Sequence, residues 1–253
     1  KPHTINLGVP QGSVLGPLIF LLFINDLAKH MHNLKIKIEI TLFADDCSMA
    51  TSARSLGELQ ENVNIIMCEF KNWAIANRLV CNAEKTIAVQ FYNSIKPENI
   101  IFNFDNKNVI TSEYFRFLGI ESDNKLNWSN HVNNVVKKIN KAYYVITNMK
   151  DTLDARSMLQ LYYALVYSHI AYNVILWGNA KTANRVLIAQ KRIIRLLFKV
   201  DYQKSCKPTF KNEKIMTSTS LFIYRSILTI WKYKSNKQIE HNTRNNYTIF
   251  YEK

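Results

Sequence analysis

The hydrophobic pattern of this chain changes its period near residue 123, and this change constrains the fold more than any other feature. Before that point apolar and polar residues alternate in short runs, most clearly over residues 36–43 (IKIEITLF), as is typical of half-buried strands. After it, apolar residues recur every three or four positions, as on one face of a helix. The sequence therefore predicts an α+β region over residues 1–123, a helical region over 124–200, and a helical extension with a polar tail over 201–253.

Two helix signals lie inside the first region. Pro17 suits the first turn of a helix that continues over residues 18–31. Ser55 and Glu58 have the spacing of a capping box, in which the serine and the glutamate satisfy backbone N–H groups at a helix start. Both signals predict helices packed against the strands.

The charge changes at the same place as the period. Residues 1–123 contain 11 basic and 13 acidic side chains, a net of −2, whereas residues 124–253 contain 22 and 6, a net of +16. A solvated lysine-rich surface usually has acids interspersed, but residues 124–150 and 181–199 contain none. We therefore expect the helical part to bind a polyanion. The candidate contacts to a nucleic-acid backbone are Lys137, Lys138, Lys141, Lys191, Arg192, Arg195 and Lys199.

Two adjacent carboxylates, Asp45 and Asp46, follow the alternating run and precede a second strand-like run, CSMATS. This order predicts a β-hairpin with both acids at its tip. Such a pair is either a solvated turn or a site for Mg²⁺, which binds carboxylate oxygens and takes its other ligands from water and substrate phosphates. A two-metal site also needs a carboxylate from another strand, and no other acidic residue ends an apolar strand-like run. From these residues alone, both interpretations stay open.

Signals of secretion and of membrane insertion are missing from the sequence. The four cysteines form no Cys-x-x-Cys pair, and no signal peptide is visible. The longest apolar run, residues 14–24, is too short to span a bilayer. We expect an intracellular protein, nuclear and cytoplasmic, that is not secreted and does not bind a membrane.

Four segments occur in a recognisable order: GVPQGSVLGPLIF at 8–20, FADD at 43–46, NWAIANRLVCNAEKT at 72–86 and FRFLGI at 115–120. They resemble motifs B, C, D and E of the reverse transcriptases of non-LTR (LINE-type) retrotransposons, particularly the jockey-like branch. The later segments HVNNVVKKINKAYYVI and AQKRIIRLLF resemble the thumb and the region after it.

This resemblance implies a partial right-hand polymerase palm over residues 1–123, followed by a basic helical thumb. It implies that Asp45 is a catalytic ligand of Mg²⁺, or of Mn²⁺, that Asp46 supports this metal site, and that Lys85 faces the departing pyrophosphate. The implied nucleotide and template-base pocket contains Pro10, Gln11 and Gly12. The implied primer grip consists of Phe117, Leu118, Gly119 and Ile120. The implied partners are an RNA template paired with a DNA primer, and deoxynucleoside triphosphates.

In that family the fingers and the palm strand with motif A, whose aspartate is a further metal ligand, would precede residue 1. We therefore expect the chain to need a missing N-terminal polymerase segment, and not to polymerise DNA alone. The alternatives are a non-catalytic nucleic-acid-binding module, either a relic or one adopted by the host, and a protein-interaction role.

Overall fold

The computed structural model describes residues 8, 12–92, 98–104, 107–234 and 246–252. The strands are β1 (Ile38–Phe43), β2 (Asp46–Ala53), β3 (Ile87–Gln90), β4 (Ile101–Phe104), β5 (Lys107–Ile110), β6 (Tyr114–Phe117), β7 (Ile120–Asp123) and β8 (Asn246–Glu252). The helices are α1 (Gly16–His32), α2 (Leu56–Ala76), α3 (Ser129–Met149), α4 (Ala155–Tyr162), α5 (Ser168–Ala171), α6 (Val174–Trp177), α7 (Asn184–Leu197), α8 (Lys207–Asn212) and α9 (Ser218–Lys234). A π-helical turn, Tyr163–Tyr167, joins α4 to α5.

The chain is an α+β protein that divides into two compact units. The first comprises Lys1–Phe115 and Asn242–Lys253, and the second comprises Arg116–His241. The first unit mixes helices with small antiparallel sheets, whereas helices dominate the second. None of the helices in the described ranges is long and apolar enough to cross a membrane.

A four-stranded sheet in the order β1-β2-β8-β3 forms the centre of the first unit. Strands β1 and β2 pair antiparallel, with Phe43 opposite Asp46, so the predicted hairpin is confirmed. Strand β8 pairs antiparallel with both β2 and β3. Its residues lie in what the sequence predicts to be a polar tail, although the run YTIFY has the aromatic and β-branched residues that strands favour. The tail therefore adds a strand to the sheet. This strand is not predicted from the sequence, because the residues around it are polar.

One apolar face of α2 packs beside this sheet. Leu59, Val63 and Ile66 are almost fully buried on it, and Leu27 and Met31 of α1 join the same core. The capping box at the start of α2 is present: Ser55 Oγ accepts a hydrogen bond from the Glu58 N–H at 3.2 Å. The Glu58 carboxylate accepts the N–H of Arg54 at 3.0 Å, one residue earlier than in the usual capping box. These bonds satisfy donors that the helix itself leaves free.

The second unit packs around the buried stripe of α3. Val132, Val135, Ile139 and Ile146 are nearly inaccessible, as the helical spacing in the sequence predicts. Around them lie the large buried rings of Tyr162 and Trp177 and the apolar faces of α7 and α9. Burial of this many aliphatic side chains, each contributing roughly 1.5–3 kcal/mol, explains why this helical unit forms a core of its own.

Candidate functional site

The two adjacent aspartates lie at the tip of the β1–β2 hairpin. Ala44 and Asp45 form its two-residue turn, and Ala44 has a left-handed backbone with φ +52°. Asp45 is exposed, whereas Asp46, the first residue of β2, is half-buried. Alternation along the two strands directs Ile38, Cys47 and Met49 into the core. The carboxylates therefore project from the end of a strand pair whose register its buried side chains specify.

The register of β8 brings Lys85 to the same edge of the sheet. Tyr251 pairs with Ser48 on β2 and with Ile87 on β3. Strands β2 and β3 therefore run in the same direction and begin at the same end of the sheet. Lys85 and Asp46 each precede those positions by two residues, and two strand spacings correspond to about 10 Å. The structure thus places the predicted carboxylates and the predicted cation along one edge.

A tight turn fixes the backbone at Lys85. The N–H groups of Lys85 and Thr86 both donate to the carbonyl oxygen of Asn82, at 3.0 and 3.1 Å. The Asn82 side-chain oxygen accepts the N–H of Glu84 at 3.1 Å. Lys85 itself is exposed and Thr86 is buried, so the turn holds the lysine on the solvent side of the strand's start.

The expectation that no other acidic residue ends an apolar strand-like run is wrong for the folded chain. Strand β8 ends at Glu252, which pairs with Cys47, next to Asp46. The edge therefore carries the backbone of a third acidic residue. Among the residues whose side chains the structure describes, no group of three or more His, Cys, Asp or Glu is positioned to hold a metal ion. The adjacent Asp45 and Asp46 carboxylates nevertheless suit a Mg²⁺ ion that keeps several waters and takes further oxygens from phosphates.

Of the predicted nucleotide pocket, Pro10 and Gln11 lie outside the described residues. Gly12 is exposed with φ +82°, a left-handed conformation that glycine adopts without strain, and a Cβ there would meet nothing within 4 Å. Other residues of the same segment line a cavity of about 520 Å³. Its lining residues are Gly8, Ile19, Phe20, Phe23, Asn77, Arg78 and Leu79. Segments 8–20 and 72–86, which are far apart in sequence, thus meet at this cavity.

The predicted primer-grip segment is a tight turn between β6 and β7. Leu118 and Gly119 have left-handed backbones, with φ +45° and +81°, as two-residue hairpin turns require. The hydroxyl of Tyr172 donates to the Leu118 carbonyl oxygen, and its ring lies 3.7 Å from where a Cβ on Gly119 would be. Phe117 is half-buried and Ile120 is buried. Tyr172, far along the chain, is a support for this turn that local sequence patterns do not identify.

The predicted basic contacts separate into two groups within the second unit. Lys137, Lys138 and Lys141 line a cavity of about 500 Å³ together with Arg116 and Gly119. Arg195 and Lys199 line a different and larger cavity, of about 980 Å³. Lys191 of α7 is half-buried.

Two of the arginines stack on aromatic rings. The guanidinium carbon of Arg192 lies 3.9 Å from the centre of the Tyr143 ring, and that of Arg195 lies 5.3 Å from Tyr202. Such stacking holds a guanidinium in place. In Arg195 the Nε atom is buried, and Nη2 donates a hydrogen bond to the Lys204 carbonyl oxygen at 3.5 Å. Lys199 lies beyond the end of α7 with φ +50°, so the helix does not set its direction.

Residues 1–122 match the family described as reverse transcriptase (RNA-dependent DNA polymerase). Similar curated proteins come from Drosophila melanogaster. The RNA-directed DNA polymerase from mobile element jockey is 26% identical over 76% of this chain and 22% of its own length. The probable RNA-directed DNA polymerases from transposons X-element and BS are 25% and 27% identical, over 77% and 79% of this chain. The chain spans about a fifth of these relatives, 22–23% of their length. No solved structure matches it at a significant level.

Proposed function

Since residues 1–122 belong to the reverse transcriptase family and resemble the polymerases of jockey-like mobile elements, we propose that the chain takes part in template-primed, RNA-directed DNA synthesis. The first unit then acts as part of the polymerase palm, and the basic helical unit acts as the thumb. The observation that carries this proposal is the position of the Asp45–Asp46 pair at the tip of a regular hairpin, inside the matched segment.

Asp45 holds a Mg²⁺ ion in this proposal, and Asp46 supports that site. A bound Mg²⁺ supplies charge neutralisation at the transferring phosphoryl group. Lys85 binds the departing pyrophosphate, since it is an exposed cation at the same sheet edge. The motif C hairpin, the motif D turn and the sheet register support these roles together.

The template–primer duplex lies on the second unit. The turn over residues 117–120 positions the primer end, and the α3 and α7 cations contact phosphates. Contacts to phosphates do not depend on the base sequence, so they can bind a duplex of any sequence, as a polymerase requires. Arg192 is preoriented for phosphate by the Tyr143 ring beneath it.

Paramagnetic broadening tests the metal assignment without requiring a complete polymerase. Mn²⁺ is added in small amounts to the ¹⁵N-labelled full chain in the presence of dATP, and amide signals are recorded. We expect broadening at residues 44–47 and 82–86, because both segments lie at the same edge. Asp45→Asn should abolish it. Asp26→Asn, which removes an exposed carboxylate on α1, is the matched control and should leave it unchanged. Broadening elsewhere, or unchanged broadening in Asp45→Asn, would contradict the proposal.

Primer extension on an RNA template is measured with the same samples. We expect the chain to bind the hybrid, and any extension of the primer should depend on Asp45. Extension that continues in Asp45→Asn would refute the catalytic role of the hairpin.

A further inference from the structure

The turn between β6 and β7 has an unfavourable backbone conformation at Leu118. Both turn residues, Leu118 and Gly119, have left-handed backbones, with φ +45° and +81°. A Cβ disfavours this conformation, so the first position of such a two-residue turn is usually Asn, Asp or Gly. Leucine has no polar side-chain atom that could bond the nearby backbone. The local sequence therefore does not favour this turn, and contacts from elsewhere in the fold have to hold it.

Tyr172 supplies such contacts from the corner between α5 and α6. Its hydroxyl donates a hydrogen bond to the Leu118 carbonyl oxygen. Its ring lies against Gly119, where a Cβ would be 3.7 Å from the ring carbon Cε1 and 3.8 Å from the hydroxyl oxygen. The Leu118 carbonyl belongs to the peptide unit that joins the two turn residues. The hydrogen bond therefore fixes the orientation of the central peptide unit of the turn.

The backbone of Tyr172 is itself anchored to the core of the second unit. Its N–H donates to the Ser168 carbonyl oxygen at 3.1 Å, and its carbonyl oxygen accepts the indole N–H of Trp177 at 3.0 Å. Trp177 is only 1% exposed. Asn173, with φ +46°, turns the chain between the two short helices. The tyrosine is thus fixed on its backbone side, while its side chain reaches out to the turn.

The same tryptophan supports the hairpin at a second point. The Trp177 ring centre lies 5.8 Å from that of His131 on α3, and His131 Nδ1 accepts the backbone N–H of Glu121 on β7 at 3.5 Å. Contacts that start from one buried side chain therefore reach the hairpin both at Leu118 and at Glu121. This double support is more than a solvent-exposed two-residue turn needs for chain reversal alone.

We propose that Tyr172 is a positioning residue, whose hydroxyl holds the Leu118–Gly119 turn in the conformation that places the 3′ end of the primer. It acts through the turn and not by contact with the reacting atoms. The inference rests on the proposed function for what the turn contacts, whereas the support of the turn is a property of the chain itself. Removing the hydroxyl leaves every cation of the helical unit in place. Affinity for the duplex should therefore survive, and only the position of the primer end should be lost.

Tyr172→Phe tests this, because it keeps the ring and removes only the hydroxyl. The full chain is mixed with an RNA–DNA hybrid that carries the fluorescent base 2-aminopurine at the primer 3′ end, and saturation with native chain should change its fluorescence. Tyr172→Phe should bind the hybrid within about twofold of the native affinity by fluorescence anisotropy, yet lose most of the 2-aminopurine change. The matched control, Tyr224→Phe, removes an exposed hydroxyl on α9 and should behave like the native chain.

The turn itself is followed by ¹⁵N relaxation in the absence of nucleic acid. The order parameter of the Gly119 amide should be about 0.85 in the native chain, as in a rigid backbone, and should fall towards about 0.6 in Tyr172→Phe. An unchanged order parameter would overturn the inference, because the hydroxyl would then not hold the turn.

The outcomes separate this inference from the proposed function. Hybrid binding with the same 2-aminopurine change in Tyr172→Phe as in the native chain would overturn the inference and leave the proposed function intact. So would a native chain that binds the hybrid without changing the primer-end signal. Equal loss of affinity and of primer-end signal in Tyr172→Phe would also overturn it, since the hydroxyl would then support binding as a whole. A native chain that binds no hybrid would contradict the proposed function and the inference with it.

Discussion

Replacing Gln190 by leucine should destabilise the helical unit strongly. Gln190 is fully buried in α7, and its amide donates to the Tyr162 hydroxyl oxygen at 2.8 Å and to the Met216 carbonyl oxygen at 2.9 Å. Its carbonyl oxygen accepts the Ser218 N–H at 2.9 Å. Leucine has a similar volume, so Gln190→Leu removes three hydrogen bonds without leaving a large cavity.

The expected loss follows from the two buried groups left behind, the Tyr162 hydroxyl and the Ser218 N–H, since Met216 is 38% exposed. Each buried polar group without a partner costs about 1–3 kcal/mol, so the free energy of unfolding should fall by about 2–5 kcal/mol. Burial raises the pKa of Tyr162 well above its ordinary value, so its hydroxyl is neutral. In Gln190→Leu this neutral hydroxyl loses the hydrogen bond that the Gln190 amide donates to it. Tyr162→Phe removes a single one of these bonds and should cost about 1 kcal/mol.

Urea unfolding followed by circular dichroism measures the effect, with unit-specific transitions resolved by hydrogen exchange. The matched control is Gln160→Leu, the same substitution at an exposed position of α4, which should change stability by less than about 0.5 kcal/mol. A loss below about 1 kcal/mol in Gln190→Leu would refute the reasoning. It would mean that the stabilisation by these hydrogen bonds only offsets the cost of burying the polar groups that make them.

Three further outcomes are expected. Ending the chain at Lys234 removes β8, so hydrogen exchange at β2 and β3 should accelerate while exchange in the helical unit is unchanged; equal protection in both chains would contradict the sheet order. Ser55→Ala should lower the unfolding free energy of the first unit by about 1 kcal/mol in urea, and no change would mean that the cap is replaced by water. Burial lowers the pKa of His131, so its contribution to stability is present above its ordinary pKa of 6.5 and is lost as pH falls through the lowered folded-state value; His131→Phe should flatten that part of a stability–pH curve, and an unchanged slope would contradict it.

Local patterns predicted the elements whose signals are local. The alternation before Asp45 and the Ser55–Glu58 spacing each specify a hairpin or a helix start without reference to distant residues, and both are confirmed. The stripe of α3 was predictable for the same reason, since a helix repeats its buried face within one segment.

Long-range features were not predictable from the same patterns. Strand β8 joins β2 to β3 across most of the sequence, and nothing near residue 246 indicates which strands it will pair with. Tyr172 holds the turn at Leu118 from 54 residues away. His131 occupies one position of an apolar stripe, so its sequence context does not reveal that this residue lines a cationic cavity. The roles of Asp45, Lys85 and the basic residues stay predictions.

The most direct test of the central claim is the salt dependence of binding between the full chain and an RNA–DNA hybrid, measured by fluorescence anisotropy. If Arg116, Lys137, Lys138 and Lys141 contact phosphates, the logarithm of the association constant should fall with the logarithm of salt concentration with a slope of about −3 or steeper. Arg116→Gln with Lys138→Gln should reduce that slope by roughly 2, since each phosphate contact contributes about 0.9. Binding that is absent, or that does not depend on salt, would contradict the proposal that this chain binds a template–primer hybrid.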